Sequence, residues 1–167
     1  VLRKQYADVV EEERQLAQGL DALRALPCET LDGHRMPLWV NTGLLADVKR
    51  AQERGAEGVG LYRTEVPFMI NERFPSEKEQ LATYREQLQA FHPLPVTMRT
   101  LDIGGDKALS YFPIKEDNPF LGWRGIRVTL DHPEIFLVQA RAMLKASEGL
   151  NNLRILLPMI SGIQELE

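Results

Sequence analysis

The stretch PVTMRTLDIGGDK (95–107) decides the architecture. Residues 95–100 are rich in strand formers and lie between two breaks, His92-Pro93 before and Gly104-Gly105 after, so they read as a short strand. Arg99 ends that strand, and an acid, Asp102, follows it. Upstream, GAEGVGLYRTE (55–65) repeats the arrangement, with a strand over 58–62 followed by Arg63 and Glu65. Two strands that each end in an arginine and then an acid imply polar groups gathered at one edge of a sheet.

Working outward, short β-rich runs alternate with helical patterns. Residues 38–40 read as a strand and 44–54 as a helix stopped by Gly55. Ser76 opens a helix reaching about residue 90, with Glu79 three places on as a capping box. Residues 125–130 read as a weaker strand, 134–147 as a helix, and 153–159 as a strand buried on both faces. Ser161 starts a further helix. Such alternation implies parallel strands joined by crossover helices, an α/β fold. Periodicity does not separate an open doubly wound sheet from a barrel. Residues 1–26 carry Val9, Leu16, Leu20, Leu23 and Leu26 at helical spacing among charged residues, which predicts a solvated amphipathic helix ended by Pro27. The division is therefore a linker helix and connector over 1–35 and an α/β domain over 36–167.

Composition narrows the chemistry. A net charge of −4 with no basic patch gives no reason to expect nucleic acid or an anionic membrane as partner. No apolar run is long enough to span a bilayer, there is no signal-peptide pattern, and a cytoplasmic location is the default. Cys28 is the only cysteine, which rules out an internal disulfide, and it is expected as a half-buried thiol in the connector. His34, His92 and His132 lie in turns without metal-ligand spacing. Trp39 and Trp123 are expected as core or loop anchors.

The chemistry-bearing candidates are Arg63, Arg99 and Arg124, the last expected just before the weak fourth strand. Ligands in parallel α/β folds bind at the C-terminal edge of the strands. Converging guanidinium forks there make an anion site for phosphate or carboxylate. The alternative is local pairing, Arg63 with Glu65 and Arg99 with Asp102. The loop 102–107 has neither Walker A nor dinucleotide spacing. It is either a tight turn with a surface lysine or a loop whose glycines admit a ligand while Lys107 reaches a phosphate. Glu65, Asp102 and Asp106 are carboxylates able to bind a hard cation, but their spacing singles out no pair.

Taken together and in order, GAEGVGLYRTE (55–65), MRTLDIGGDK (98–107) and EDNPFLGWRGIRV (116–128) resemble successive segments of enzyme I, the phosphoenolpyruvate-protein phosphotransferase family of the bacterial phosphotransferase system. The resemblance runs from about residue 41 to the C-terminus and includes LRILLPMIS (153–161). The related pyruvate,phosphate dikinases and phosphoenolpyruvate synthases share the strand-end arginines, but the Gly-Gly-Asp-Lys continuation resembles enzyme I. DGHRMPLWVNTGLLADV (32–48) and FPSEKEQ (74–80) are most similar to its nitrogen-related branch.

The resemblance implies a (β/α)8 barrel, of which this chain would supply about the first five strand-helix units. It implies that Arg63 and Arg99 bind the phosphoryl group of phosphoenolpyruvate, with Arg124 orienting the substrate and Asp102, Lys107 and Asn118 in support. It further implies Mg2+, with ligands expected beyond Glu167, transfer to a protein histidine and on to a histidine-containing phosphocarrier protein, and a homodimeric full-length protein. The family's Thr-Ser-His motif is absent, and neither its metal carboxylates nor its proton-donor cysteine is matched here. The isolated chain is therefore expected to be inactive. The competing class is a non-catalytic interaction or phospholigand-binding module.

Overall fold

The computed structural model describes every residue except Val1, Ala25, Leu45, Asp106, Ala108 and Lys115, and only the backbone of Leu2, Ala46, Asp47 and Lys49. Strands β1 (Val40–Thr42), β2 (Val59–Arg63), β3 (Val96–Arg99) and β4 (Leu153–Leu156) lie side by side in chain order, each pair parallel. Helices α2 (Ala46–Glu53), α3 (Glu65–Ile70) and α4 (Glu77–Phe91) fall between the first three strands, and α5 (Ile126–Asp131) and α6 (Pro133–Ala146) between the last two. Helix α1 (Leu2–Leu23) precedes the sheet, and its described side chains are exposed throughout. No helix among the described residues is long and apolar enough to cross a membrane.

Parallel strands need crossovers, and α4 and α6 cover one face of the sheet. Val59, Tyr62, Val96 and Met98 point into a core shared with Tyr84, Leu88 and Phe91 of α4 and Ala142, Met143 and Ala146 of α6. Burying the larger of these side chains is the main stabilising term, at roughly 1.5–3 kcal/mol each. A second cluster, Phe68, Leu101, Ile103, Leu109 and Val128, packs the loops beyond the strand ends. On the uncovered face, Arg154 of β4 places its guanidinium carbon 4.8 Å from the ring centre of Trp39, just before β1. An ideal Cβ on Gly60 would sit 3.3 Å from the Cβ of Trp39, so a glycine at this point of β2 leaves room for the indole. In a flat sheet β1 and β4 would lie about 14 Å apart, three strand spacings. The contact between their flanking residues reflects a sheet curled towards this face.

Helix α4 begins as its sequence predicts. Ser76 Oγ accepts from the Glu79 N–H, and the Glu79 carboxylate accepts from the Ser76 N–H at 2.8 Å. Arg73 adds a two-pronged pair to the same carboxylate, and with Ser76 it lowers the Glu79 pKa from the ordinary 4.5 to about 2. A depressed folded-state pKa means that this stabilisation is present above pH 4.5 and is lost as pH falls towards 2. Ser76→Ala should lower stability by about 1 kcal/mol, read from the urea midpoint at neutral pH. Arg73→Ala should flatten the acid limb of the stability profile between those two pKa values, and an unchanged limb would contradict this account.

Five expectations need correction. The run 125–130 is not a strand: Ile126–Asp131 is helix α5. Its β-branched residues suggested alternation, but Ile126, Val128 and Thr129 are buried while Leu130 is exposed, a helical rather than a period-two pattern. The strand before α2 runs two residues later than expected, over Val40–Thr42, leaving Leu38 exposed. The last strand stops at Leu156 and is an edge strand, not one buried on both faces; Ile155 and Leu156 remain exposed. Beyond it, Ile163–Glu165 forms a 3-10 turn. Cys28 is exposed rather than half-buried.

Candidate anion site at the strand ends

β2 and β3 deliver Arg63 and Arg99 to the same height, as the two are register partners at the C-terminal ends of neighbouring parallel strands. The chain then turns in both cases so that its acid comes back to the strand end. Thr64 Oγ1 donates to the Arg99 carbonyl at 2.7 Å and ties the two turns together. Glu65, buried to 2% side-chain exposure, accepts from Arg99 Nη2 at 2.6 Å and from Lys107 Nζ at 2.5 Å. Asp102 pairs with Arg99 Nη1 at 3.0 Å and lies 3.5 Å from Lys107 Nζ. Arg124 Nη2 contacts both Asp102 oxygens at 3.1 Å.

Arg124 reaches this position from a loop rather than from a strand start. Gly104 adopts φ +111°, and a Cβ there would lie 2.7 Å from Arg124 Cβ and 3.0 Å from the Trp123 carbonyl oxygen. Only a residue without a side chain lets the segment 123–124 settle against the turn. Gly104 and Lys107 exchange both backbone hydrogen bonds, which aims Lys107 back at Glu65. On its other side the segment is anchored by Trp123. The indole stacks on Phe112, meets His132 edge-on, and donates from Nε1 to Asp131 at 2.6 Å.

The local-pairing alternative holds for Arg99 and fails for Arg63. Arg99 does pair with Asp102, but it also reaches Glu65 across the strand gap. Arg63 does not pair with Glu65; its side chain is exposed and has no partner among the described residues. Among the described residues, three cations pair with two carboxylates and Arg63 adds a fourth at the same strand edge, an excess of positive charge. Arg99 Nε and Glu65 Oε2 are buried without a hydrogen-bond partner among the described residues. Two spare donor groups at one strand edge, Arg63 and the Arg99 Nε–H, suit an oxyanion.

Asn118 is exposed and makes no hydrogen bond to this cluster among the described residues. Asp106 lies outside the described residues. The three histidines lie elsewhere: His34 in the connector, His92 at the end of α4, His132 in the Phe112–Trp123 aromatic group. Among the described residues no group of three or more His, Cys, Asp or Glu is placed to hold a metal ion. Glu65 and Asp102 are each engaged by at least two cations, which makes them unsuitable Mg2+ ligands in this arrangement.

Sequence reasoning missed Thr64 and Gln139. Gln139 is wholly buried and hydrogen-bonded to Thr64 Oγ1 and to the Leu101 N–H, directly beneath the cluster. Its signal was a polar residue on the apolar stripe Ile135, Ala142, Met143 and Ala146.

Comparison with known proteins places the sequence in a family. The model of a family described as "PEP-utilising enzyme, PEP-binding domain" matches residues 17–167. A protein of Escherichia coli (strain K12) named "Phosphoenolpyruvate-dependent phosphotransferase system" is 48% identical over 167 residues, all of this chain and 22% of its own length. The phosphoenolpyruvate-protein phosphotransferase of Haemophilus influenzae is 45% identical over 161 residues, 96% of this chain and 27% of its own length. That of Bacillus subtilis (strain 168) is 46% identical over 142 residues, 84% of this chain and 25% of its own length. The chain therefore spans about a quarter of the length of these curated relatives. With the family model covering nine-tenths of its residues and the strand-end arginines in register, the chain belongs to the PEP-utilising enzymes and carries sequence of their PEP-binding domain.

Proposed function

We propose that Arg63, Arg99 and Arg124 bind phosphoenolpyruvate, the first two at the phosphoryl group, and that the protein from which this sequence comes transfers that group to a protein histidine and then to a histidine-containing phosphocarrier. The observation that carries the reading is the register of Arg63 and Arg99, with Arg99 held by buried carboxylates and Arg63 without a partner among the described residues. In phosphoryl transfer the protein mainly positions the group and neutralises developing charge. Arg99 is oriented by Glu65 and Asp102 before any ligand arrives, so little reorganisation is needed on binding. Asp102 holds Arg124, Lys107 adds a point charge, and Asn118 stands in support from its exposed loop.

The sheet is read as part of a (β/α)8 barrel, a reading supported by its parallel, sequential order and its curl. The chain divides into a linker over 1–35 and the barrel segment over 36–167, placed in the nitrogen-related branch on the run 32–48. The Mg2+ and the homodimer implied by the resemblance belong to the full-length protein.

Calorimetric titration of the chain with phosphoenolpyruvate tests the reading. Saturable binding, competed by inorganic phosphate, is expected; a folded chain that takes up no phosphoenolpyruvate sinks it. Because no histidine lies in the cluster, incubation with phosphoenolpyruvate and Mg2+ should leave the chain's mass unchanged. A gain of one phosphoryl group would show an acceptor that this reading does not contain.

A further inference from the structure

Beneath the arginines runs a buried polar chain that the phosphoryl-binding residues themselves do not account for. Gln139 sits in the middle of α6 with no exposed surface. Its Oε1 accepts from the Leu101 N–H at 2.7 Å. Its Nε2 donates to Thr64 Oγ1 at 3.1 Å and to the Tyr84 hydroxyl at 3.0 Å. Each hydroxyl passes the donation on, Thr64 to the Arg99 carbonyl at 2.7 Å and Tyr84 to Gln80 Oε1 at 3.1 Å. Gln80 Nε2 then donates to the Pro75 carbonyl at 2.8 Å. The donations run in one direction, from the Leu101 N–H into Gln139 and from Gln139 out through the two hydroxyls, an arrangement in which successive bonds strengthen one another.

The placement of the two inner bonds carries the argument. Thr64 lies between Arg63 and Glu65, and Leu101 lies between Arg99 and Asp102. One carboxamide therefore holds both of the turns that bring an acid back onto its strand end. We infer that Gln139 is a positioning residue for the anion site, setting the spacing of the Arg63–Glu65 and Arg99–Asp102 turns from the helix behind the sheet. An apolar side chain of the same length fills the volume but leaves the Leu101 N–H without an acceptor and Thr64 without its anchor, both in a fully buried setting. Burial raises the Tyr84 hydroxyl pKa, so that group stays a neutral donor and acceptor across the working range. The turns are then free to shift, and the guanidinium forks lose the alignment that bidentate contacts to an oxyanion require.

This inference rests on the phosphoenolpyruvate reading, and the test separates the two. Phosphoenolpyruvate is titrated by calorimetry into the wild-type chain, Gln139→Met, Thr64→Val and Met143→Ala, each at a temperature where it is folded. Met143 is buried one turn along the same helix and takes part in none of these bonds, so Met143→Ala reports the effect of lost stability alone. The dissociation constant should rise at least about 10-fold in Gln139→Met and in Thr64→Val, and by less than about twofold in Met143→Ala. Should Gln139→Met fail to fold, Thr64→Val breaks the same connection from the other end. Unchanged affinity in whichever of these two folds, or equal weakening in Met143→Ala, overturns the positioning role and leaves the binding reading standing. No saturable binding by the wild-type chain overturns the binding reading, and the positioning role with it.

Discussion

Arg63→Ala should abolish phosphoenolpyruvate binding while leaving the unfolding midpoint in place, whereas Arg99→Ala should abolish binding and destabilise the fold. Arg63 is exposed and has no partner among the described residues, so its removal deprives nothing of a contact, and surface changes of that kind fall within about 0.5 kcal/mol. Arg99 is different. Its side chain is 15% exposed and neutralises two carboxylates whose side chains are 2% and 5% exposed. Removing one partner of a buried pair costs about 3–5 kcal/mol because a charge is left without compensation. The lower end applies here, since Lys107 still reaches Glu65 and Arg124 still reaches Asp102. Urea denaturation beside calorimetry checks both limbs. Equal destabilisation by the two substitutions would mean that Arg63 has a structural partner, and retained binding in Arg63→Ala would remove it from the site.

The second large effect is expected at Gly104. Alanine there meets two costs, a positive φ of 111° and a Cβ placed 2.7 Å from Arg124 Cβ and 3.0 Å from the Trp123 carbonyl oxygen. The conformational cost is about 1–2 kcal/mol. Forcing backbone apart adds roughly 1–3 kcal/mol, for a total near 3 kcal/mol. Gly149→Ala separates the two, since Gly149 also has a positive φ, of 75°, but nothing lies within 4 Å of a Cβ there. It should show the conformational cost alone and leave binding untouched. Gly104→Ala should also displace Arg124 from Asp102 and weaken phosphoenolpyruvate binding. If both alanines cost the same and bind alike, the close approach of residues 123–124 to the turn has no energetic weight.

Much of this architecture can be read from local sequence because local chemistry decides it. The capping box at Ser76 and Glu79 needs only residues three apart, and it forms as its pattern predicts. The strands ahead of Arg63 and Arg99 are bounded by turn formers and sit where those formers place them, within a residue or two. What escapes a local reading depends on distant partners. Ile126 and Val128 favour strand by type, yet the Ile126 N–H donates to the Pro158 carbonyl and the residues turn as a helix over the far end of β4. The exposure of β4 follows from its place at the sheet edge, which apolar content does not reveal. In the candidate site, the arginines are legible as strand ends, but their partners are not. Glu65 lies two residues from Arg63 and is taken by Arg99, 34 positions away, because parallel register sets the two strand ends side by side. Gln139 is further still from the turns it holds, and only the packing of α6 against the sheet brings it there.

The two tryptophans sit in different surroundings, one on the uncovered face of the sheet and one in the loop that carries Arg124. Trp39 lies before β1, pinned under the Arg154 guanidinium, while Trp123 shares its backbone with Arg124 and leans on Phe112 and His132. A ligand that draws Arg124 from Asp102 alters the surroundings of one indole and leaves those of the other alone. The molecule therefore carries an optical reporter and an internal reference within one chain. Trp39→Phe isolates the reporter, so that occupancy at the strand ends can be followed by emission without any attached label.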